Sequence, residues 1–280
     1  MSSASASLAS SSETLIGPVA APDLHVMTYN LRRRFVRYLP GSKDRWSMRA
    51  PLVAELLRGE RPALLGSQEA MHLQAVAVLR ALGDDYRRIG HGRNSDGHGE
   101  GCPVFYDATR LRLADWHQIA LSPTPEVPGS RGFGNMVPRI AVVADFEDLA
   151  TGRSLRHINT HLDHISQKSR LRSIELLLEI AAATDSPIIV TGDMNTGVET
   201  KPHTAALASG ALVDAWRASE RRLTPEWGTY SAYRAPSRGK RIDWILTGPQ
   251  IRVTAIGINT RRFDGQAPSD HEPVQAVVRW

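Results

Sequence analysis

Several apolar runs in this chain end in side chains that can bind an ion, hold a phosphate or move a proton. The run 24–29 ends in Asn30, and 62–66 leads through Ser67 and Gln68 to Glu69. Residues 155–160 end in His161. Pro187-Ile188-Ile189-Val190-Thr191-Gly192 stops at Asp193, with Asn195 two positions on. Asp243 opens Trp244-Ile245-Leu246, and Asp270-His271 stands just before the run 274–279. Taken singly, each has an ordinary reading: Asn30 or Gly192-Asp193 as a turn former, Glu69 as a helix-start acid, His161 as a satisfied histidine. Six such groups at strand ends point to a site, because the rim of a sheet is where α/β and α+β proteins collect ligand groups.

The chemistry such a set supports is narrow. Glu69 with Asp270 or Asp193 offers hard oxygens, the type that Mg²⁺ or Mn²⁺ takes together with substrate phosphate. Asn30 and Asn195 add neutral oxygens or amide donors. His161 and His271 can steady a developing oxyanion or transfer a proton near neutrality. Arginine forks nearby match phosphate oxygens. An ion, a positioned water and a charge clamp are the working parts of phosphoester hydrolysis.

Strands and helices must bring these groups together. The β-branched runs predict strands at 24–30, 62–66, 103–106, 111–114, 139–146, 155–160, 187–192, 241–246, 251–258 and 274–279. Shorter strand-like pieces fall at 212–216 and 228–230, and 251–258 reads as the hairpin partner of 241–246. Apolar spacing predicts helices over 45–58, 71–82 and 166–183, with Pro51 near the start of the first. Asp148 to Gly152 reads as a hairpin turn, and 90–101 and 122–138 as glycine- and proline-rich loops.

Composition bounds the partners. The 280 residues are 41% hydrophobic and 22% charged, and short-period repeats and low-complexity linkers are absent after residue 22, so 23–280 reads as one domain. Residues 1–22, rich in Ser and Ala, read as a disordered tail without the basic start or apolar core of an export signal, so a cytoplasmic protein is the expectation, with an atypical export signal left open. No apolar run is long enough to span a membrane. The single cysteine, Cys102, rules out an internal disulfide and a cysteine metal cluster. Lys and Arg number 34 against 29 Asp and Glu, a net charge of +5 that permits an anionic partner without requiring one.

The segments Met27-Thr28-Tyr29-Asn30, Gln68-Glu69, Asn159-Thr160-His161-Leu162-Asp163-His164, Gly192-Asp193-Met194-Asn195, Arg241-Ile242-Asp243 and Ser269-Asp270-His271 stand in an order that resembles the endonuclease/exonuclease/phosphatase superfamily. The resemblance covers about residues 23–280, and the spacers Arg45-Trp46, Pro138-Arg139 and Gly228-Thr229-Tyr230 are similar to those of a small, largely uncharacterised bacterial subgroup. It implies a pancreatic deoxyribonuclease-like fold, an α+β sandwich of two mixed β-sheets packed face to face with helices on the outer faces, four layers in all. It implies Glu69 as principal ligand of Mg²⁺ or Mn²⁺, with Asn30 and Asp270 close to the same ion. Asp193 would orient or deprotonate the attacking water and Asn195 would contact phosphate. His271, paired with Asp270 or Asp243, would bind the scissile phosphate, and His161 would assist from the other side. Arg139, Glu100, Arg93, His164 and Arg32 would face the substrate; Arg32 stands where many relatives carry an acid. The implied protein is a monomeric, metal-dependent phosphoester hydrolase acting on a nucleic acid, a phospholipid or a small phosphate ester.

Two other readings compete. His161-Leu162-Asp163-His164 matches half of the zinc motif of metallo-β-lactamase-type hydrolases, but Asn159 stands where that motif has its first histidine. Arg32, Arg33, Arg34 and Arg37 could serve a non-catalytic anion- or nucleic-acid-binding domain. Within the enzyme reading, the same arginines and Arg234, Arg238, Lys240 and Arg241 are expected as two walls of an anionic pocket.

Overall fold

The structure, a computed structural model, describes residues 14–35 and 41–280. Arg37 and tail residues 1–13 lie outside the described residues. The chain runs β1 (Leu24–Asn30), α1 (Trp46–Glu60), β2 (Leu64–Gln68), α2 (His72–Leu82), β3 (Tyr86–Ile89), β4 (Val104–Asp107), β5 (Leu111–Ala120) and β6 (Ile140–Asp148). It continues through β7 (Arg153–His161), α3 (Gln167–Ala182), β8 (Ile188–Asp193), α4 (Lys201–Leu207), β9 (Val213–Asp214), α5 (Ala215–Ala218), β10 (Asp243–Thr247), β11 (Arg252–Ile258) and β12 (Val274–Arg279). Two six-stranded sheets result, in the orders β11-β12-β1-β2-β4-β3 and β5-β6-β7-β8-β10-β9.

Both sheets follow one plan. Helix α1 carries β1 over to its parallel neighbour β2, and α3 does the same for β7 and β8. An antiparallel strand flanks each pair on either side: β12 and β4 in one sheet, β6 and β10 in the other. Parallel partners finish at the same edge of a sheet, and an antiparallel neighbour begins there. Asn30, Glu69, His161 and Asp193 therefore emerge at strand ends, while Asp243 and His271 enter at strand starts. The topology alone puts all six along one rim.

Alternation along each strand sorts the layers. Val26, Leu64 and Val104 meet Val142, Phe146, Ile189 and Ile245 in the core between the sheets. Met27, Leu65 and Phe105 turn the other way, onto Leu56 and Leu57 of α1 and Val78 of α2. Val143, Ile158 and Val190 pack outward on Ile174 and Leu177 of α3. This is the expected α+β sandwich of four layers.

Polar residues clasp the sheets together just beneath the rim. Fully buried Asn159 on β7 donates to the carbonyls of Ser67, 2.8 Å, and Cys102, 3.0 Å. Its oxygen accepts from Gln68 Nε2, 2.8 Å, and Thr191 Oγ1, 3.0 Å. The sheets come so close that a Cβ on Gly66 would lie 2.2 Å from Thr191 Oγ1.

The structure departs from the sequence reading in places. β11 pairs with β12, not with β10, because the Gly248-Pro249 turn carries the chain from one sheet to the other. Residues 228–230 form no strand; Tyr230 makes a single bridge with His271. β5 extends to Ala120, an edge strand with polar residues outside, and edge strand β3 lacked an apolar run to announce it. Part of the presumed tail is ordered: the N–H groups of Leu15, Ile16 and Gly17 donate to the buried carboxylate of Glu60.

Candidate active site

A cavity of about 430 Å³ opens between the two sheets at the rim. Glu69, His161, Asp193, Asn195, Asp270 and His271 line it, as do the expected Arg32, Arg93, Glu100, Arg139 and His164. Asn30 lies beneath Glu69 and Asp193, and Asp243 behind His271, each in hydrogen-bond contact with those residues. Three of the lining residues, Arg32, Glu69 and Asn195, hold left-handed backbone at φ 51°, 57° and 51°. Such strain persists only where surroundings impose it, and it gathers at functional sites.

His271 is paired with Asp243 and not with its neighbour Asp270. Its Nδ1 lies 2.9 Å from Asp243 Oδ2, and its Nε2 faces Asp193 Oδ2 at 3.8 Å. Burial pushes the imidazole pKa down, but the carboxylates of Asp243 and Asp193 outweigh it and hold the ring well above its ordinary value, hence protonated. Asp193 is the converse. Burial first, and then the nearby Asp243, raise its pKa to about 7, against His271 and the donors Asn195 N and Asn30. Thr229 Oγ1 accepts from the N–H groups of Ile242 and Asp243, which fixes the start of β10.

Asn30 departs from its expected role. Its amide donates to Asp193 Oδ2, 2.9 Å, and Glu69 Oε1, 3.2 Å, while its oxygen accepts from Arg32 N, 2.9 Å. The backbone N–H fixes that orientation, so Asn30 turns its NH₂ toward the site and bridges two carboxylates instead of offering an oxygen to an ion. Glu69 also accepts from Arg33 N at 2.9 Å. Burial opposes its charge, but this bond, His271 and Asn30 outweigh burial and hold its pKa below the ordinary range.

Asn195 likewise positions a neighbour. Its NH₂ donates to Leu162 O, 3.0 Å, and meets His161 Nε2 at 2.9 Å. His161 Nε2 must then accept, which leaves the ring proton on Nδ1. Burial, followed by the charges of Arg139 and Arg93, keeps His161 well below its ordinary pKa and neutral. The two site histidines thus carry opposite states.

A cationic wall faces the carboxylates. Glu100 is gripped by Arg93, 2.8 Å, and Arg33, 2.6 Å. Arg139 leans on Asp163, 3.4 Å, and His164 Nδ1, 2.8 Å. Asp163 also caps the chain before α3 by accepting from the N–H groups of Ile165 and Ser166. Arg32 bridges Asp44, 3.0 Å, and Asp270, 3.5 Å. The second expected wall does not form as drawn: Arg241 is buried, its guanidinium bound to Asp214 and Glu226. Cys102 is buried with its thiol pushed up to about 12, a packing residue.

Sequence reasoning assigned no site role to two holders and three lining residues. Buried Arg49 donates to the carbonyls of Leu31, 2.7 Å, Arg32, 2.8 Å, and Pro268, 3.3 Å, tying the Arg32 loop to the Asp270 segment. Gln74 holds Arg34 N and Arg32 O from α2. Gln74 reads as an ordinary helix residue, and Arg49 stands with the Arg45-Trp46 spacer of the resemblance without an assigned role. Arg33 lines the cavity, as the arginine run predicts; Val137, Tyr230 and Ile242 line it too, Tyr230 being marked in the sequence only within the Gly228-Thr229-Tyr230 spacer.

Among the described residues, Asp193, Asp243 and His271 have ligand atoms within 4.8 Å of one another. When no ion is bound, the two carboxylates keep His271 protonated, and the trio forms a proton-bearing line. Glu69 and Asp270 fit a hard cation better. Both face the cavity, each raises the cost of the other's charge, and Asp270 has only long contacts, to Ser269 Oγ at 3.4 Å and Arg32 Nε at 3.5 Å. Among the described residues, neither His161 nor His164 joins a group of three or more ligand atoms.

The Endonuclease/Exonuclease/phosphatase family model matches residues 27–271. Among solved structures, an endonuclease/exonuclease/phosphatase family protein from Bacteroides thetaiotaomicron superposes with a TM-score of 0.84 at 29% identity, over 91% of this chain and 94% of that one. The mannosyl-6-phosphatase of the same organism gives 0.83 at 29% identity, over 92% of this chain and 100% of that one. The human Nocturnin catalytic domain with bound sulfate shares the fold, at 0.68 and 20% identity over 92% and 93% of the two chains. No curated protein matches.

Proposed function

This chain belongs to the Endonuclease/Exonuclease/phosphatase family, and on that premise we propose that it is a divalent-metal-dependent phosphoester hydrolase that directs water at phosphorus. The observation that carries the reading is the line Asp243, His271, Asp193, at 2.9 and 3.8 Å, running across the cavity floor. Glu69 and Asp270 would hold Mg²⁺ or Mn²⁺, which when bound supplies Lewis-acid polarisation of a phosphoryl oxygen. Asp193, poised at about 7, takes the proton of the attacking water. His271, oriented by Asp243, offers its Nε2–H to the phosphoryl oxygens as charge builds on them. His161, held by Asn195, lines the cavity with its Nε2 3.5 Å from Asp193 Oδ2. Arg33, Arg93 and Arg139 supply forks for non-bridging oxygens.

The cavity is of small-molecule size. With the mannosyl-6-phosphatase among the similar structures, that favours a small phosphate ester over a long nucleic-acid footprint. The test is a substrate panel with Mg²⁺ and Mn²⁺ spanning sugar phosphates, nucleotides, phospholipids, single-stranded DNA and RNA. Hydrolysis that chelation stops and Asp193→Ala abolishes is expected. If no phosphoester is hydrolysed under either ion, the reading fails.

A further inference from the structure

Tyr230 has a large apolar face turned to solvent at the catalytic cavity, a position that the reaction as described does not use. It is 55% exposed and lines the cavity. Its ring meets the His271 imidazole edge-on, with centroids 5.1 Å apart and planes at 61°. An exposed aromatic at a surface is ordinary. This one is held rigidly, which is not.

The backbone around it is pinned from both directions. Thr229 on one side is fully buried, its hydroxyl accepting from Ile242 and Asp243 and its carbonyl accepting from Glu272 N at 2.8 Å. Ser231 N and Ala232 N on the other side both donate to Asp270 O, at 2.9 and 3.1 Å. Tyr230 itself bridges His271. The same bonds that fix the Asp243, Asp270 and His271 backbone therefore fix the backbone of Tyr230, and the edge-on contact with His271 places its ring. The side chain keeps its exposure on a backbone that could not swing it away.

A rigid aromatic face beside the imidazole that meets phosphate has one evident use. We propose that Tyr230 is a specificity-determining platform: the ring of a phosphorylated sugar or nucleoside stacks on it while its phosphate sits among His271, Asp193 and the arginines. Both rings present an apolar face a short tether from phosphate, and both fit a cavity of about 430 Å³. A ringless phosphoester would gain nothing there. The inference rests on the phosphoester hydrolase reading and adds the class of ester.

The experiment measures kcat/KM with Mg²⁺ for a hexose 6-phosphate, a nucleoside 5′-monophosphate and glycerol phosphate, in the parent, Tyr230→Ala and Tyr230→Phe, each checked for folding by thermal melting. Expected is an about tenfold fall in the ratio of a ring ester to glycerol phosphate in Tyr230→Ala, restored in Tyr230→Phe. A pH profile on glycerol phosphate that keeps its limbs in Tyr230→Ala separates stacking from displacement of His271. A fall for the sugar ester, the nucleotide or both supports the platform and names its ring. A ratio that stays constant for both overturns the platform while leaving the hydrolase intact. A parent protein inactive on every ester overturns both.

Discussion

His271 stands between two carboxylates that belong to the opposite sheet, Asp243 at 2.9 Å from its Nδ1 and Asp193 at 3.8 Å from its Nε2. The first fixes which way the ring faces and favours its proton; the second would compete with the proposed phosphate for the Nε2–H. Asp243→Asn should keep the shape and lose the charge, so kcat should fall about 100-fold while the melting curve stays cooperative. An unchanged kcat would remove Asp243 from the account.

The activity should have an acid limb near 7. Burial and Asp243 raise Asp193 above the ordinary aspartate range, to about 7. Below that pH the group holds its proton and cannot accept another; above it the base is free. The rate is therefore expected to climb as pH rises through about 7, measured as kcat/KM at saturating Mg²⁺. A limb near 4 would mean that Asp193 is not the base.

Chelation should abolish hydrolysis, and Mg²⁺ or Mn²⁺ should restore it. Glu69→Gln leaves an amide where the lowered-pKa carboxylate faces the cavity. It should raise the Mg²⁺ concentration for half-maximal activity by at least about tenfold. A shift of similar size in Asp270→Asn would match the facing of both carboxylates into the cavity.

Asp214 offers a test of stability without touching the cavity. Burial opposes its charge, but hydrogen bonds from His203 and Arg241 outweigh burial and hold its pKa at about 2. The folded value lies below the unfolded one of about 3.9. Its stabilising contribution is thus present in full above about pH 4 and is lost as pH falls toward about 2. Asp214→Asn should lower Tm at pH 7 by about 10 °C, and the gap between variant and parent should close as the acid end is approached.

Strand ends were the legible part of the sequence. Apolar β-branched runs cut short by Asn30, His161 or Asp193 carry both the strand and its terminus, and the family pattern supplied the sandwich that aligns them. Contacts between sheets were not legible. Whether His271 chooses Asp243 or adjacent Asp270 depends on which way a side chain faces across a gap between β10 and the segment before β12. Arg241 looked like a free cation because no local pattern shows Asp214 waiting beneath it. Tyr230 stood out only as part of the Gly228-Thr229-Tyr230 spacer, with no role legible, since its meaning lies in exposure and in bonds made by its neighbours.

The clasp of Asn159, Gln68 and Thr191 sits one or two residues below Glu69, His161 and Asp193. The half proposed to hold the ion and the half proposed to activate water ride on different sheets, and the clasp sets the spacing between them. On warming, a slight loosening between the sheets would put the halves out of reach before any strand is lost. Catalysis in this protein is thus expected to fail at a lower temperature than its circular dichroism, with Gly66→Ala, which forces that spacing wider, failing lower still.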